Sequence, residues 1–103
     1  MLTLDKFEEA CEAVSKVTSE TKLLYSSYFS DKCGNQVYLK PENMQNTGAY
    51  KVRGAYYKMS TLSDEERARG IITASAGNHA QGVAYAAQKY GVKATIVMPT
   101  TTP

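Results

Sequence analysis

Two polar turns hold the residues of this chain that could do chemistry. The first runs from Thr73 to His79 and combines the hydroxyl of Ser75, the carboxamide of Asn78 and an imidazole, with Gly77 between them. The residues after this turn are typical of a helix, and the free N–H groups and positive dipole end of a helix start favour an anion. The turn is therefore a candidate anion site. The alternative from spacing alone is that Ser75 or Asn78 only caps the helix.

The second turn places Lys51 at the expected start of another helix, after Gly48 and Tyr50 and close to Arg53. A helix N-terminus and a nearby positive charge both disfavour an ammonium group, so the pKa of the Lys51 amine is expected to lie below its free value of about 10.4. A lysine of this kind can act as a nucleophile or a base. The alternative is that Lys51 and Arg53 are two solvated cations at a helix start.

A βαβ unit is expected to position the first turn. Apolar runs at 71–74 and 94–98 read as buried strands, and an Ala-rich segment over about 78–90, closed by Gly91, reads as the helix between them. Nearly continuous apolar strands are typical of a parallel sheet covered by helices on both faces. Ligands bind beyond the carboxyl ends of such strands, where the first turn lies. The pattern therefore predicts an α/β fold.

The rest of the chain carries weaker signals for regular structure. Periodicity and capping residues predict four further elements: an amphipathic helix over about 4–17 that Thr3 caps, a strand over Gln36–Leu39, a helix from Ala49 or Lys51, and a short helix between the Ser63 capping box and Gly70. The run LLYSSYF at 23–29 could form a short strand or a turn.

Composition narrows the possible functions. The chain has 103 residues and a formal charge of +2, with its basic residues scattered, so it fits one domain and offers no basic face for nucleic acid. It has no run of about 18 apolar residues and no signal-peptide pattern at its start, which predicts a cytoplasmic protein without a membrane contact. Cys11 and Cys33 lie far apart and His79 is the only histidine, so we expect reduced thiols and no metal site.

Taken together, the two turns resemble a known family. The run from Lys40 to Ala55, KPENMQNTGAYKVRGA, and the run from Ser75 to Gly82, SAGNHAQG, are similar to motifs of the threonine dehydratases, which are pyridoxal-phosphate enzymes. The resemblance extends from about residue 4 to the end of the chain. It implies the three-layer parallel-sheet fold of the tryptophan synthase β-like enzymes, of which this chain would form the N-terminal portion.

The resemblance also implies roles for individual residues. Lys51 matches the lysine that forms the Schiff base with pyridoxal phosphate, and Tyr50 matches a residue beside the cofactor ring that is usually phenylalanine in relatives. Asn78 matches the residue that hydrogen-bonds the 3-hydroxyl of the cofactor. The remaining matches, to the loop that holds the substrate carboxylate, are Ser75, Gly77 and His79.

The implied activity is that of a threonine ammonia-lyase, a lyase that converts L-threonine to 2-oxobutanoate and ammonia, or L-serine to pyruvate. Serine racemases resemble the chain closely, but they carry a second serine where this chain has Ala76, which favours dehydration. A serine racemase or serine dehydratase and a non-catalytic α/β segment remain the alternatives. The isoleucine-biosynthetic and catabolic branches of amino-acid metabolism are not separated by these residues.

Family members are several times longer than this chain. Residues 1 to about 50 are expected to begin the large domain and residues from about 51 to 103 the small domain, with the phosphate-binding loop and any regulatory domain further along. The resemblance implies a small-molecule amino-acid substrate and a homodimer or homotetramer at full length. We expect these 103 residues alone to be inactive.

Overall fold

The computed structural model describes residues 1–102. In chain order the elements are α1 (Leu4–Ser15), β1 (Leu24–Tyr25), α2 (Ser27–Cys33), β2 (Tyr38–Leu39), a 3₁₀ turn (Glu42–Met44), α3 (Lys51–Ser60), α4 (Asp64–Ala68), β3 (Ile71–Ala74), α5 (Asn78–Tyr90) and β4 (Ala94–Val97). The strands form two separate two-stranded sheets within the described residues, β1 with β2 and β3 with β4. No helix among these residues is long and apolar enough to cross a membrane.

The last third of the chain forms the predicted βαβ unit. Strands β3 and β4 pair in parallel, from Ile71 opposite Ala94 to Ala74 opposite Val97. Helix α5 connects them and ends at Gly91, whose φ of 65° is the left-handed conformation that glycine adopts without strain. In the described residues helices cover one face of this sheet, whereas the prediction was for both: Ile72 on the other face is 74% exposed.

The core lies where α3 and α5 pack against each other. Helix α3 contributes Ala55, Tyr56 and Met59, and α5 contributes residues that include Val83 and Ala86. Small residues along α5 allow the two helix axes to approach closely, because their side chains occupy little of the space between the backbones. Val17 and the partly buried Ile71 and Ala94 complete the cluster from outside the two helices.

The segment between α1 and α3 differs most from its prediction. The run at 23–29 divides into β1 and the beginning of α2, and the expected strand over Gln36–Leu39 is reduced to Tyr38–Leu39, which pairs antiparallel with β1. Hydroxyl groups explain the division: Ser26 accepts a hydrogen bond from the Phe29 N–H and starts α2. Ser30 accepts one from the Val37 N–H at 2.9 Å, so this N–H, directly before β2, bonds to a side chain of α2.

The predictions made for the ends of α1 and α4 were partly correct. The Ser63 capping box is confirmed, with Ser63 and Glu66 each accepting a hydrogen bond from the other's backbone N–H. Thr3 occupies the N-cap position of α1, but its side chain makes no capping hydrogen bond, and α1 ends at Ser15, earlier than the predicted residue 17. Cys11 and Cys33 are free thiols as expected, and both are exposed.

Candidate active site

The anion-site turn lies between the carboxyl end of β3 and the first residue of α5. Gly77 is the N-cap residue of α5, and no side chain caps this helix. The hydroxyl of Ser75 instead accepts a hydrogen bond from the Gly77 N–H at 3.3 Å, inside the turn. Asn78 is already helical and is exposed. The capping alternative is therefore wrong, and the first N–H groups of α5 have no side-chain acceptor among the described residues.

The lysine turn is held by its own backbone and by one hydroxyl group. Gly48 adopts φ 67°, which reverses the chain before α3. The buried Thr47 donates its hydroxyl hydrogen to the Ala49 carbonyl at 3.1 Å. Lys51 follows as the first residue of α3, and it is exposed, as is Tyr50 beside it. The fold thus presents a primary amine to solvent on a backbone fixed from within.

A close contact between helices brings the two turns together. A Cβ atom added to Gly82 of α5 would lie 3.1 Å from the carbonyl carbon of Lys51, 3.2 Å from its oxygen and 3.2 Å from the Val52 nitrogen. Gly82 follows Asn78 by four residues, so both lie on the same face of α5, separated by about 6 Å along its axis. Lys51 and Asn78, which were predicted to share a site, therefore lie at the same end of the α3–α5 pair.

Arg53 is not the solvated cation of the alternative interpretation. Its Nε and one terminal nitrogen each donate a hydrogen bond at 2.8 Å to the two carboxylate oxygens of Glu42. This bidentate pair joins α3 to the 3₁₀ turn. Gln45, the residue directly after that turn, donates a hydrogen bond to the same Glu42 carboxylate at 3.4 Å. Gln45 also accepts from the Ser19 N–H and donates to the Ser19 carbonyl. The Arg53–Glu42 pair and the Gln45 hydrogen bonds together fix the start of α3 relative to the segment that follows α1.

The Arg53 guanidinium, with smaller contributions from neighbouring donors, holds the pKa of Glu42 below its usual 4.5. A lowered pKa in the folded state means that Glu42 stabilises the fold above its unfolded pKa, and that this contribution is lost as the pH falls below it. We expect Glu42→Gln to flatten the fall in free energy of unfolding between about pH 6 and about pH 3. Urea denaturation at several pH values measures this slope. Glu8→Gln, on the exposed surface of α1, is the control, and an equal flattening there would contradict the prediction.

His79 has a different environment from that of Lys51. It is partly buried and lines an open cavity of about 360 Å³ between α3, β3 and α5, together with Met59 and Thr73. Neither Lys51 nor Asn78 is among the lining residues of this cavity. The anion-site turn therefore places Asn78 and its neighbour His79 on different sides of α5. The substrate-binding roles of Ser75, Gly77 and His79 remain predictions.

The geometry fits the cofactor that the resemblance implies. An aldehyde group needs an accessible primary amine, which Lys51 provides. An acidic ring hydroxyl needs an amide or N–H donor, and the exposed Asn78 lies at the same end of the helix pair. The space beside Gly77 is open, since a Cβ added there would meet no atom within 4 Å. The accessible amine, the exposed amide and the open space at Gly77 therefore fit a cofactor that carries an aldehyde and an acidic hydroxyl.

Sequence reasoning did not assign a role to two residues of this arrangement, Gly82 and Thr47. Gly82 lies in the second motif, and the cost of about 1 kcal/mol that glycine has in a helix relative to alanine was a signal of tight packing there. The pairing of Glu42 with Arg53 joins residues eleven positions apart across a turn, and no periodic pattern predicts such a contact.

Comparison with known proteins gives a family match over most of the chain. Residues 14–103 match the model of the family described as "Pyridoxal-phosphate dependent enzyme". The chain is 54% identical over all 103 residues to an L-threonine ammonia-lyase of Thermotoga maritima, of which it covers 26%. The chain thus spans about a quarter of the length of this curated relative.

Two solved structures that share this fold are a threonine deaminase and a serine racemase. The processed form of threonine deaminase isoform 2 from Solanum lycopersicum is 45% identical, with a TM-score of 0.81 over 99% of this chain and 31% of that one. Serine racemase from Dictyostelium discoideum is 36% identical, with a TM-score of 0.92 over 99% of this chain and 34% of that one. The deaminase is more similar to this chain in sequence identity, whereas the racemase is more similar in TM-score. The TM-score reports how the backbone elements are arranged, whereas identity also includes the side chains that do the chemistry.

Proposed function

Because the chain belongs to the family of pyridoxal-phosphate dependent enzymes, we propose that it forms part of a threonine ammonia-lyase. The proposed reaction converts L-threonine to 2-oxobutanoate and ammonia, and L-serine to pyruvate and ammonia. One water molecule leaves in the elimination and one is taken up in the hydrolysis that follows. The observation that carries the proposal is the exposed Lys51 at the start of α3, placed by Gly82 at the same end of the helix pair as Asn78.

The proposed roles are those that the family resemblance implies, and the positions of the side chains fit them. Lys51 would hold pyridoxal phosphate by a covalent bond to its Nζ, and the same nitrogen would accept the α-proton of the substrate. Asn78 would donate to the 3-hydroxyl of the cofactor, and Tyr50 would contribute an aromatic side chain beside it. Bound pyridoxal phosphate supplies an electron sink that stabilises negative charge at the α-carbon.

The substrate carboxylate is proposed to bind at the start of α5. The uncapped N–H groups there and the positive end of the helix dipole attract an anion, and the Ser75 hydroxyl lies in the same turn. Gly77 and His79 complete this loop. Binding at a helix start also orients the substrate, because the carboxylate is fixed on one side of the α-carbon while the Lys51 amine reaches it from α3.

Serine racemase is the second candidate, supported by the backbone similarity to the Dictyostelium enzyme. Racemisation needs a second group that returns a proton to the opposite face of the α-carbon. In the turn after Ser75, Ala76 has no group that carries a proton. Threonine deamination is the function that these residues support better, in agreement with the higher identity to threonine ammonia-lyases.

We expect the chain by itself not to sustain turnover. Lys51 and Asn78 are exposed in the described residues, so water reaches the reacting atoms freely. Active sites of this chemistry need water excluded, since electrostatic interactions are weaker in a solvated site. The remaining length of the relatives would provide this enclosure. Formation of 2-oxobutanoate by these 103 residues alone would contradict this expectation.

Product analysis tests the choice between the two activities. The complete enzyme, loaded with pyridoxal phosphate, is incubated with L-threonine or L-serine, and the keto acids are measured together with the chirality of the remaining serine. We expect 2-oxobutanoate from threonine as the faster product and little D-serine. D-serine as the main product would overturn the assignment.

A further inference from the structure

Two contacts close to the Lys51 backbone have no role in the chemistry proposed above. Gly82 of α5 approaches Lys51 so closely that an added Cβ would lie 3.1 Å from its carbonyl carbon. In the turn before α3, the buried Thr47 donates its hydroxyl hydrogen to the Ala49 carbonyl at 3.1 Å. The side chain of Lys51 is exposed, whereas its backbone is constrained by the first contact directly and by the second two residues earlier.

We propose that Gly82 and Thr47 are positioning residues that hold the Lys51 backbone at a fixed separation from Asn78. This inference rests on the proposed function and adds to it the residues that place the reactive amine. Gly82 acts by the absence of a side chain, and Thr47 acts by a hydrogen bond that closes the turn before α3.

The distances at Gly82 show why its contribution is one of position. Contacts of 3.1–3.2 Å are closer than an ordinary van der Waals contact, and the atoms met are backbone atoms of Lys51 and Val52. Backbone at the start of a helix cannot rotate away as a flexible side chain can, so a methyl group here must move α3 and α5 apart. Val52 is only 1% exposed and packs in the interior, which further limits the movement.

The same displacement would change the geometry of the site. Asn78 lies on the same face of α5 as Gly82, so moving α5 away from Lys51 also moves Asn78 away from it. Displacements of about 1 Å at a reacting centre can cost about a hundredfold in rate. A shift of a few tenths of an ångström is therefore expected to reduce kcat noticeably while the fold remains.

Thr47 constrains the backbone before Lys51 by a hydrogen bond, whereas Gly82 acts by close packing. Ala49 and Thr47 are both buried residues and their hydrogen bond is buried, so the loss of the hydroxyl leaves the Ala49 carbonyl without this donor. The turn would relax to satisfy that carbonyl, and Lys51 follows two residues later. Thr47→Ser keeps the hydroxyl and Thr47→Val removes it at nearly the same volume, which separates the hydrogen bond from packing.

The test uses the complete enzyme loaded with pyridoxal phosphate. Gly82→Ala is compared with Gly54→Ala, a helical glycine of α3 where an added Cβ would meet no atom within 4 Å. Val83→Ala is the control for stability, because it truncates a core residue next to Gly82 without adding an atom near Lys51. The measurements are kcat, KM for L-threonine, cofactor Kd from fluorescence, the rate of borohydride fixation of the cofactor to Lys51, and the melting temperature.

We expect Gly82→Ala and Thr47→Val to lower kcat and the fixation rate by about tenfold, with smaller changes in KM. Gly54→Ala and Thr47→Ser are expected to keep both quantities within about twofold of the wild type. Val83→Ala is expected to lower the melting temperature without the loss of fixation rate. All comparisons are made at a temperature where circular dichroism shows every variant folded.

Three results would overturn the inference. The first is that Gly82→Ala matches Gly54→Ala in kcat and in fixation rate. The second is that Val83→Ala lowers kcat and fixation rate as much as Gly82→Ala does. If Gly82→Ala does not fold, the Thr47 pair decides, and equal loss in Thr47→Ser and Thr47→Val would count against positioning. Wild-type enzyme that carries no cofactor on Lys51 would instead refute the proposed function, and the inference with it.

Discussion

Replacing Lys51 by arginine in the complete enzyme is expected to lower kcat for L-threonine deamination by about ten-thousandfold, at the upper end of what a lost general base costs. Arginine keeps the positive charge and most of the length of the side chain. It cannot form the covalent bond to the cofactor, and it stays protonated, so it cannot accept the α-proton. Both proposed roles of the Lys51 Nζ are therefore lost together. Steady-state formation of 2-oxobutanoate measures the effect.

Lys58→Arg is the matched control for this substitution. Lys58 lies on the same helix, α3, two turns further along, and it is exposed like Lys51. We expect its replacement to leave kcat within about twofold of the wild type, as is usual for exposed positions. Similar losses in the two variants would show that the lysine at position 51 has no special role.

The second large effect is expected on stability. Met59 is 3% exposed and belongs to the core cluster formed by α3 and α5. Met59→Ala removes its buried thioether and leaves a cavity that the two helices cannot fully close, because they are already in close contact where Gly82 meets Lys51. The free energy of unfolding is expected to fall by about 3 kcal/mol, within the range for large-to-small core substitutions. Urea denaturation measures it as a shift in midpoint at an unchanged slope.

Met44→Ala provides the comparison for Met59→Ala. Met44 lies in the 3₁₀ turn and is 65% exposed, so the same chemical change there removes few buried contacts. Its effect is expected to stay within about 0.5 kcal/mol. A loss at Met59 no larger than that at Met44 would mean that the α3–α5 contact is not the main source of stability.

The sequence predicted the parts of the fold that are specified locally. The strand from Ile71 to Ala74 and the helix from Asn78 to Tyr90 were predicted with the bounds that the structure has, because apolar strands and an Ala-rich helix between glycines carry strong local signals. The capping box at Ser63 was found for the same reason. The chain between α1 and α3 was predicted poorly, since its short elements depend on hydrogen bonds such as the one from the Val37 N–H to the Ser30 hydroxyl.

The candidate site could likewise be predicted only in its locally specified part. Lys51 and Asn78 could be selected from motifs, because their types and their places at helix starts are visible in the sequence. The contact of Gly82 with Lys51 could not be predicted, because it depends on how two helices cross. The alternative capping role of Ser75 or Asn78 was wrong for a related reason: the hydroxyl of Ser75 accepts a hydrogen bond inside the turn. The division of the chain into two domains near residue 50 remains a prediction.

Reductive trapping of the cofactor tests the central claim most directly. The complete enzyme is incubated with pyridoxal phosphate, reduced with borohydride and digested, and the labelled peptide is identified by mass spectrometry. The account predicts a single stable label on Lys51, absent from Lys51→Arg and unchanged in Lys58→Arg. A label on another lysine, or no label in the wild-type enzyme, would contradict the assignment of Lys51 as the residue that holds the cofactor.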